Sequence, residues 1–414
     1  MKILNLILMF LLCFTVNSQI VNRTQILTDN IKTLQVKVNN NPLALPVITL
    51  NSDEFLQICF DEMSHEIHSY SYTVQHCDAD WKPSNLSSTE YLAGFTTGNI
   101  DNYSLSVNTT FLYTHYSFQL PNNDMQFIIS GNYVVNIYED NKMDKLLAKV
   151  CFSIIDPNVQ IDASLRYNTD TELSGSLQQV DFTVLLNNYE VQNPQSEFKI
   201  VVRQNNRIDN QVTDIKPTYF SNGKLSYVNN RNLIFEGGNE YHRFDISSIY
   251  SFGQGVNGIH FVRPYYEAAL NEDYIRANEA YETDFDVNGK FLINLQNSSD
   301  NDTEADYMYV NFYLAADVPF LDGQIYAGGE WNYNQFNETS RMKYDVTNRQ
   351  YCNTVLLKQG GYNYQYWYLP KNGSKASTKP VEGSHWQTGN EYAIYVYHRP
   401  WQGRYDKLIG VKVL

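Results

Sequence analysis

The six residues "HCDADW" (76–81) gather His76, Cys77, Asp78, Asp80 and Trp81, side chains of the kind that hold metals and move protons. A zinc site needs about four converging ligands, commonly a Cys-x2–4-Cys pair and a distant His pair. Here His76 and Cys77 are adjacent, so on a strand they point to opposite faces, and no second Cys lies close by. Asp78 and Asp80 suit calcium, but the Gly and the downstream bidentate Glu of the usual loop are missing. The cheaper reading is a strand end running into a structured loop. Its Asp side chains bond loop amides, and Trp81 packs as an anchor. His115, in "FLYTHYSFQLP" (111–121), shares a strand face with Phe111, Tyr113 and Ser117, which suits a hydrogen-bonded packing histidine better than a base. "GGNEYHRFD" (237–245) reads as a Gly-Gly turn entering a strand. There is no G-x-S-x-G elbow, no H-E-x-x-H and no phosphate-binding Gly loop. A glycosidase carboxylate pair leaves no local signature, and the 45 acidic residues single out no two. The residues yield no catalytic set, no metal ligands and no cofactor.

The elements that must carry these residues are strands. In "LQICFDEM", Leu56, Ile58 and Phe60 alternate with Gln57, Cys59 and Asp61. "SYSYTVQHC" sets Tyr70, Tyr72, Val74 and His76 on one face and Cys77 on the other. Short strands of this kind, punctuated by Asn, Gly and Pro, are what sandwiches look like in sequence. The 33 Tyr fit half-buried sheet faces. "EAALNEDYIRANEAY" (267–281) has the one helical spacing of note. The expected fold is all-β, a tandem array of β-sandwich (immunoglobulin-like) domains: a signal peptide at 1–18, an N-terminal domain at 19–156, a middle domain at 157–284 and a C-terminal domain at 285–414.

Bulk properties narrow the partners. Lys2, the apolar run 3–16 and "VNS" before Gln19 read as a secretory signal. The run is shorter than the ~20 residues of a spanning helix, and no later segment is apolar enough to span. Removal of 1–18 takes the net charge from −15 to −16, and no basic run exists to neutralise phosphates, so nucleic acid is excluded. Cys59, Cys77, Cys151 and Cys352 remain in an exported setting that permits disulfides, with no pairing favoured. The last domain suggests one further chemistry. "GGEWNYNQFNETSRMKYD" and "LLKQGGYNYQYWYLP" look like starch- and glycogen-binding sandwiches, in which Trp331, Tyr362, Tyr364, Tyr366 and Trp367 would stack on sugars.

Taken together the motifs resemble one family, the plug protein of the bacterial type IX secretion system. The resemblance runs in order through "HCDADW", "SNLSSTEYLAGF" (84–95), "YTHYSFQLPN" (113–122), "SGNYVVNIYED" (130–140), "VVRQNNRIDN" (201–210), "FEGGNEYHRFDI" (235–246), "FDVNGKF" (285–291) and "EGSHWQTGNEYAIYVYHRPWQGRYDKLIG" (382–410). It implies a periplasmic, non-catalytic protein that binds the giant outer-membrane β-barrel translocon of that system and plugs its pore when no substrate is passing. The expected partner-binding residues are Trp81, Tyr91, Phe95, Tyr113, His115 and Tyr116. The alternative is a secreted carbohydrate-binding protein using the C-terminal aromatics.

Overall fold

A computed structural model describes residues 21–414 except 140, 141, 143, 174 and 374. The expected signal peptide lies outside the described residues. The chain is all-β and consists of three packed two-sheet units.

In the first unit, one sheet runs in the order Gln25–Ile26, Leu146–Ile155, Gly131–Glu139, Tyr70–Cys77, Thr97–Ile100. The facing sheet is Ile31–Val38, Leu56–Glu62, Thr114–Leu120, Asn102–Leu105. The period-2 alternation decides what goes between them. Ile58 and Phe60 from one sheet meet Tyr70, Tyr72, Val74, Tyr133 and Phe152 from the other. Phe60 stacks on Tyr116 at 5.4 Å, and Tyr116 meets Tyr70 edge-on at 4.8 Å. Each such side chain contributes about 1.5–3 kcal/mol of burial.

The residues of opposite parity do not face water. Cys77, Val134 and Cys151 form a second buried cluster with Trp81 on the outer face, covered by the next unit. All four described cysteines are free thiols. Cys77 and Cys151 flank the strand Gly131–Glu139, opposite Asn132 and Val134, so two strand spacings and a two-residue offset put their Cα atoms roughly 12 Å apart, too far for a bridge. Cys59 lies in the facing sheet.

The second unit packs the sheet of Gln160–Arg166, Leu177–Leu185, Lys224–Tyr227 and Tyr219–Ser221 on that of Gln211–Val212, Phe198–Gln204, Tyr392–His398 and Lys407–Val413. The final two strands therefore leave the C-terminal unit. Tyr392–His398 pairs along its whole length with Phe198–Gln204, and Ile394, Val396 and Ile409 fill the core with Phe182, Ile200 and Tyr227. The third unit is an insertion carried between strands of the second, and it starts earlier than residue 285. His242–Asp245 pairs with Gly360–Pro370, and Val256–Val262 and Tyr265–Leu270 join Tyr307–Ala315 and Gln350–Lys358. Alternation reports which face is buried, not which distant strand is the neighbour. That is why a division at 284/285 misses this exchange. The helical spacing at 267–281 is also overridden: Tyr265–Leu270 and Asp273–Tyr274 are strands, parallel to Tyr307–Ala315, and Ala268 and Leu270 are buried.

Candidate functional site

The opening motif builds a joint. After Cys77 the chain leaves the sheet, and Trp81 takes a left-handed φ of 62° while its N–H donates to the Asp78 carbonyl at 2.9 Å. This tight loop presents Asp78 and the Ala79 N–H to the segment joining the last two strands. The Asp406 N–H donates to Asp78 Oδ1 at 3.1 Å, and the Ala79 N–H donates to Asp406 Oδ2 at 3.0 Å. Arg399 bridges both carboxylates, at 2.6 Å from Asp78 and 2.8 Å from Asp406, and Lys199 reaches Asp406 at 2.9 Å. Asp406 is fully buried. Trp81 lies against the Arg203 guanidinium of the second unit, 5.9 Å from its ring centre. His76 bonds the Ser84 hydroxyl at 2.8 Å and meets the edges of Tyr133 and Tyr405. Burial pushes its pKa down to about 4, so the ring is neutral. Asp80 pairs only with neighbouring Lys82, at 2.9 Å. No cluster fit for a metal occurs among the described residues.

The second histidine belongs to another joint, between the first and third units. His115 Nδ1 lies 2.7 Å from Asp61 Oδ1, and Asp61 Oδ2 receives Lys358 Nζ at 2.6 Å and the Tyr307 hydroxyl at 2.7 Å. Asp61 and Lys358 are 1 % and 2 % exposed. Burial raises the Asp61 pKa, but Lys358 and His115 more than offset this and hold it below the usual carboxylate range. Lys358 also donates to the Asp302 carbonyl at 2.7 Å and sits 4.2 Å above the Tyr113 ring. Tyr113 donates to the Ala305 carbonyl at 2.7 Å, and Asp306 accepts the N–H groups of Thr110 and Phe111. A charge buried this deeply is tolerable only when so fully paired. Where the three units meet, a cavity of about 300 Å³ remains, lined among others by Trp81, Cys151, Arg203, Lys290, Glu330 and Tyr395.

Of the six residues expected to meet a partner, Trp81, Tyr91, Tyr113, His115 and Tyr116 are buried. Tyr91 donates to the Val74 carbonyl at 3.2 Å, and Tyr116 caps both polar groups of the His68 backbone. Their side chains touch the protein's own units and offer no surface to another molecule. Phe95 is the exception at 68 % exposure. It stands at the corner between Leu92–Gly94 and Thr97–Ile100, its N–H held by the Asp124 carbonyl at 2.8 Å. Gly94 before it has a φ of +99°, and a Cβ there would fall 2.1 Å from the Asp124 oxygen, so only glycine brings the chain so close. Ile128 is also exposed, beside the short sheet of Leu92–Gly94 with Met125–Phe127.

The five aromatics of the sugar-stacking alternative are core residues. Trp331 donates to the Asn363 carbonyl at 3.2 Å and stacks over Phe312; Trp367 is fully buried beneath Arg207. Tyr362 donates to the Lys358 carbonyl. Tyr364 and Tyr366 both donate to Asp273 Oδ2, at 2.6 and 2.7 Å. That carboxylate and buried Glu382 flank His242 at 3.1 and 3.2 Å, with Arg276 on Glu382 at 2.6 Å. Burial lowers the His242 pKa, but the two carboxylates raise it more, to about 9; Glu382, raised by burial, is pulled to about 2 by Arg276 and His242. "NEYHRFD" and "VEGSHW" are thus the two ends of one buried ionic clasp.

Partners such as Asp406, Arg399, Lys358 and Tyr307 escape a motif-by-motif reading, because each lies roughly 200–330 residues from its mate. Only Lys358 carries a local signal, a charge at the end of a largely apolar strand.

The family model described as Type 9 secretion system plug protein 1st domain matches residues 31–156, the first unit with both of its joint faces. The chain belongs to the type 9 secretion system plug protein family. A separate similarity, to a solved structure, covers nearly the whole chain. A crystal structure of a hypothetical protein from Parabacteroides merdae is 44 % identical, covers 96 % of this chain and 100 % of its own, and superposes with a TM-score of 0.94. No curated protein matches the chain. As a member of the plug family it is a structural component of the type 9 secretion machinery, placed in the cell envelope. Among the described residues no helix is long and apolar enough to cross a membrane.

Proposed function

We propose that the protein docks on the periplasmic side of the giant outer-membrane translocon barrel and closes its pore while no substrate is in transit. A barrel wide enough for folded proteins is an aqueous hole in the permeability barrier unless something blocks it. Blocking needs bulk and rigidity and no reaction. The observation that carries the reading is the family match over the first unit, and the buried joints support it, since they tie that unit to the other two through paired charges rather than linkers. Docking must be reversible, which suits an interface of roughly 1,200–2,000 Å² with a polar rim. The corner around Phe95 is the contact we assign. It is an exposed aromatic on a backbone pinned by Asp124, so little freedom is lost when it is covered.

The test is an affinity-tag pull-down from detergent-solubilised outer membranes, read by mass spectrometry. Wild type recovers a very large barrel protein in comparable amounts, and Phe95→Asp, with an unchanged unfolding midpoint, loses most of it. Failure of folded, exported wild type to recover such a protein overturns the plug reading. Undiminished capture by Phe95→Asp removes this corner as the contact.

A further inference from the structure

An open crevice in the second unit borders the connection that carries Arg399 and Asp406 but is lined by none of the joint's ion-paired residues. It measures about 1090 Å³ and is lined by the loop 185–192, the turn around Asn222, and Pro400 and Trp401 from the last inter-strand connection. That volume lies just above the roughly 300–1,000 Å³ usual for ligand sites.

Each wall is set by local chemistry. Asn222 and Gly223, with φ of 50° and 72°, form the two-residue turn between Tyr219–Ser221 and Lys224–Tyr227, the primed hairpin that this dipeptide favours. On the opposite side, the Gly403 N–H closes a turn on the Pro400 carbonyl at 2.7 Å, and this turn drives Trp401 outward to 77 % exposure. The floor is a fixed relay. Tyr189 OH meets His398 Nδ1 at 2.7 Å, and His398 Nε2 meets Glu197 Oε2 at 3.3 Å. His398 and Glu197 are 3 % and 5 % exposed. The Gln192 N–H donates to the same carboxylate oxygen at 3.2 Å, so the loop that carries the polar wall is anchored to the floor.

What lines this crevice is a specific mixture. Trp401 and Phe220 offer exposed ring faces, at 77 % and 46 %. Asn187, Asn188, Gln192 and Asn222 offer exposed side-chain amides, and the acids Glu190 and Glu197 are matched by Lys224 and Lys407, two residues of each sign. Amides donate and accept at once, which matches vicinal hydroxyls. Aromatic faces match the C–H faces of sugar rings. A purely apolar lining would suit a lipid or an apolar peptide, and a single-sign lining an ionic ligand. We infer that this crevice binds a neutral oligosaccharide, with Trp401 and Phe220 as stacking platforms and the Asn and Gln side chains reading hydroxyls. No residue of the Phe95 corner lines the site, and its test is independent of translocon capture.

Titration calorimetry of the purified mature protein tests the assignment, with chitotriose as an N-acetylated amino-sugar chain, maltotriose and cellotriose as unsubstituted glucans, and an unstructured aromatic-rich peptide. Saturable binding of one of the saccharides is expected, weakened at least tenfold by Trp401→Ala and severalfold by Asn188→Ala. Both residues are exposed, so the variants keep the wild-type unfolding midpoint. Preference for chitotriose points to cell-wall-type chains, and preference for a glucan to storage or surface polysaccharide. Binding of none of the three, binding indifferent to Trp401→Ala, or binding of the peptide alone would overturn the assignment.

Discussion

The two joints that hold the first unit solve the same problem with different exposure to water. At the joint to the third unit, Asp61 and Lys358 are sealed at 1 % and 2 %. At the joint to the second unit, Asp406 is sealed but its cations are not, since the Lys199 and Arg399 side chains keep 42 % and 31 % of their surface in water. A sealed pair is strong only as a pair, because loss of one partner strands the other charge. A half-wet cluster degrades gradually, since water and salt replace what is lost. One joint is therefore brittle to mutation and indifferent to salt, and the other tolerates mutation and responds to salt.

The largest effect is expected at the sealed joint. Lys358→Met strips buried Asp61 of its lysine and leaves it only His115 and the Tyr307 hydroxyl, and should cost about 3–5 kcal/mol in denaturant unfolding; adding Asp61→Asn should restore much of it. A loss below about 1 kcal/mol would erase the distinction between the joints. Next is Asp406→Asn, which removes one carboxylate from two half-wet cations and should cost about 2 kcal/mol. Added salt should weaken wild-type stability through this joint and leave the Lys358→Met increment unchanged.

The third expectation concerns pH. The folded value of His76, about 4, lies below its ordinary 6.5, so its contribution is complete above pH 6.5 and is lost as pH falls towards 4. The loss amounts to about 3 kcal/mol at most, and His76→Gln should flatten that limb. His242 runs the other way. Its folded value near 9 lies above 6.5, so its contribution is complete below pH 6.5 and lost as pH rises through 9. Glu382, depressed from 4.5 to about 2, holds its contribution above pH 4.5 and loses it as pH falls through 2. Stability measured across pH should therefore peak near 6.5; a flat profile from 4 to 9 would contradict both the burial of His76 and the carboxylate clasp on His242. The smallest effect is expected at Arg404, whose pairing with Glu90 is solvent-exposed. Arg404→Ala should leave the unfolding midpoint unchanged.

The sequence made the local facts legible. Tyr70, Tyr72, Val74 and His76 face inward, Cys77 faces out, and the run at 76–81 is structural, all because a strand's parity is written in two-residue steps. Partnership was not legible. Nothing within 285–414 says that Tyr392–His398 pairs with Phe198–Gln204, and nothing near Asp61 announces Lys358. The same limit governed the candidate contacts. Aromatics beside polar residues mark interfaces, but here the interfaces they mark are the protein's own, and only Phe95 of the six reaches the surface. Trp401 and Phe220 went unread because exposure depends on a turn and a hairpin brought together across 181 positions of sequence.

The most direct measurement is scanning calorimetry of the full mature chain. If the buried joints make one block of three sandwiches, the chain melts in a single transition whose calorimetric and van't Hoff enthalpies agree, and Lys358→Met moves that transition down as a whole. Resolved transitions in wild type, with one unit melting ahead of the others, would contradict a rigid block.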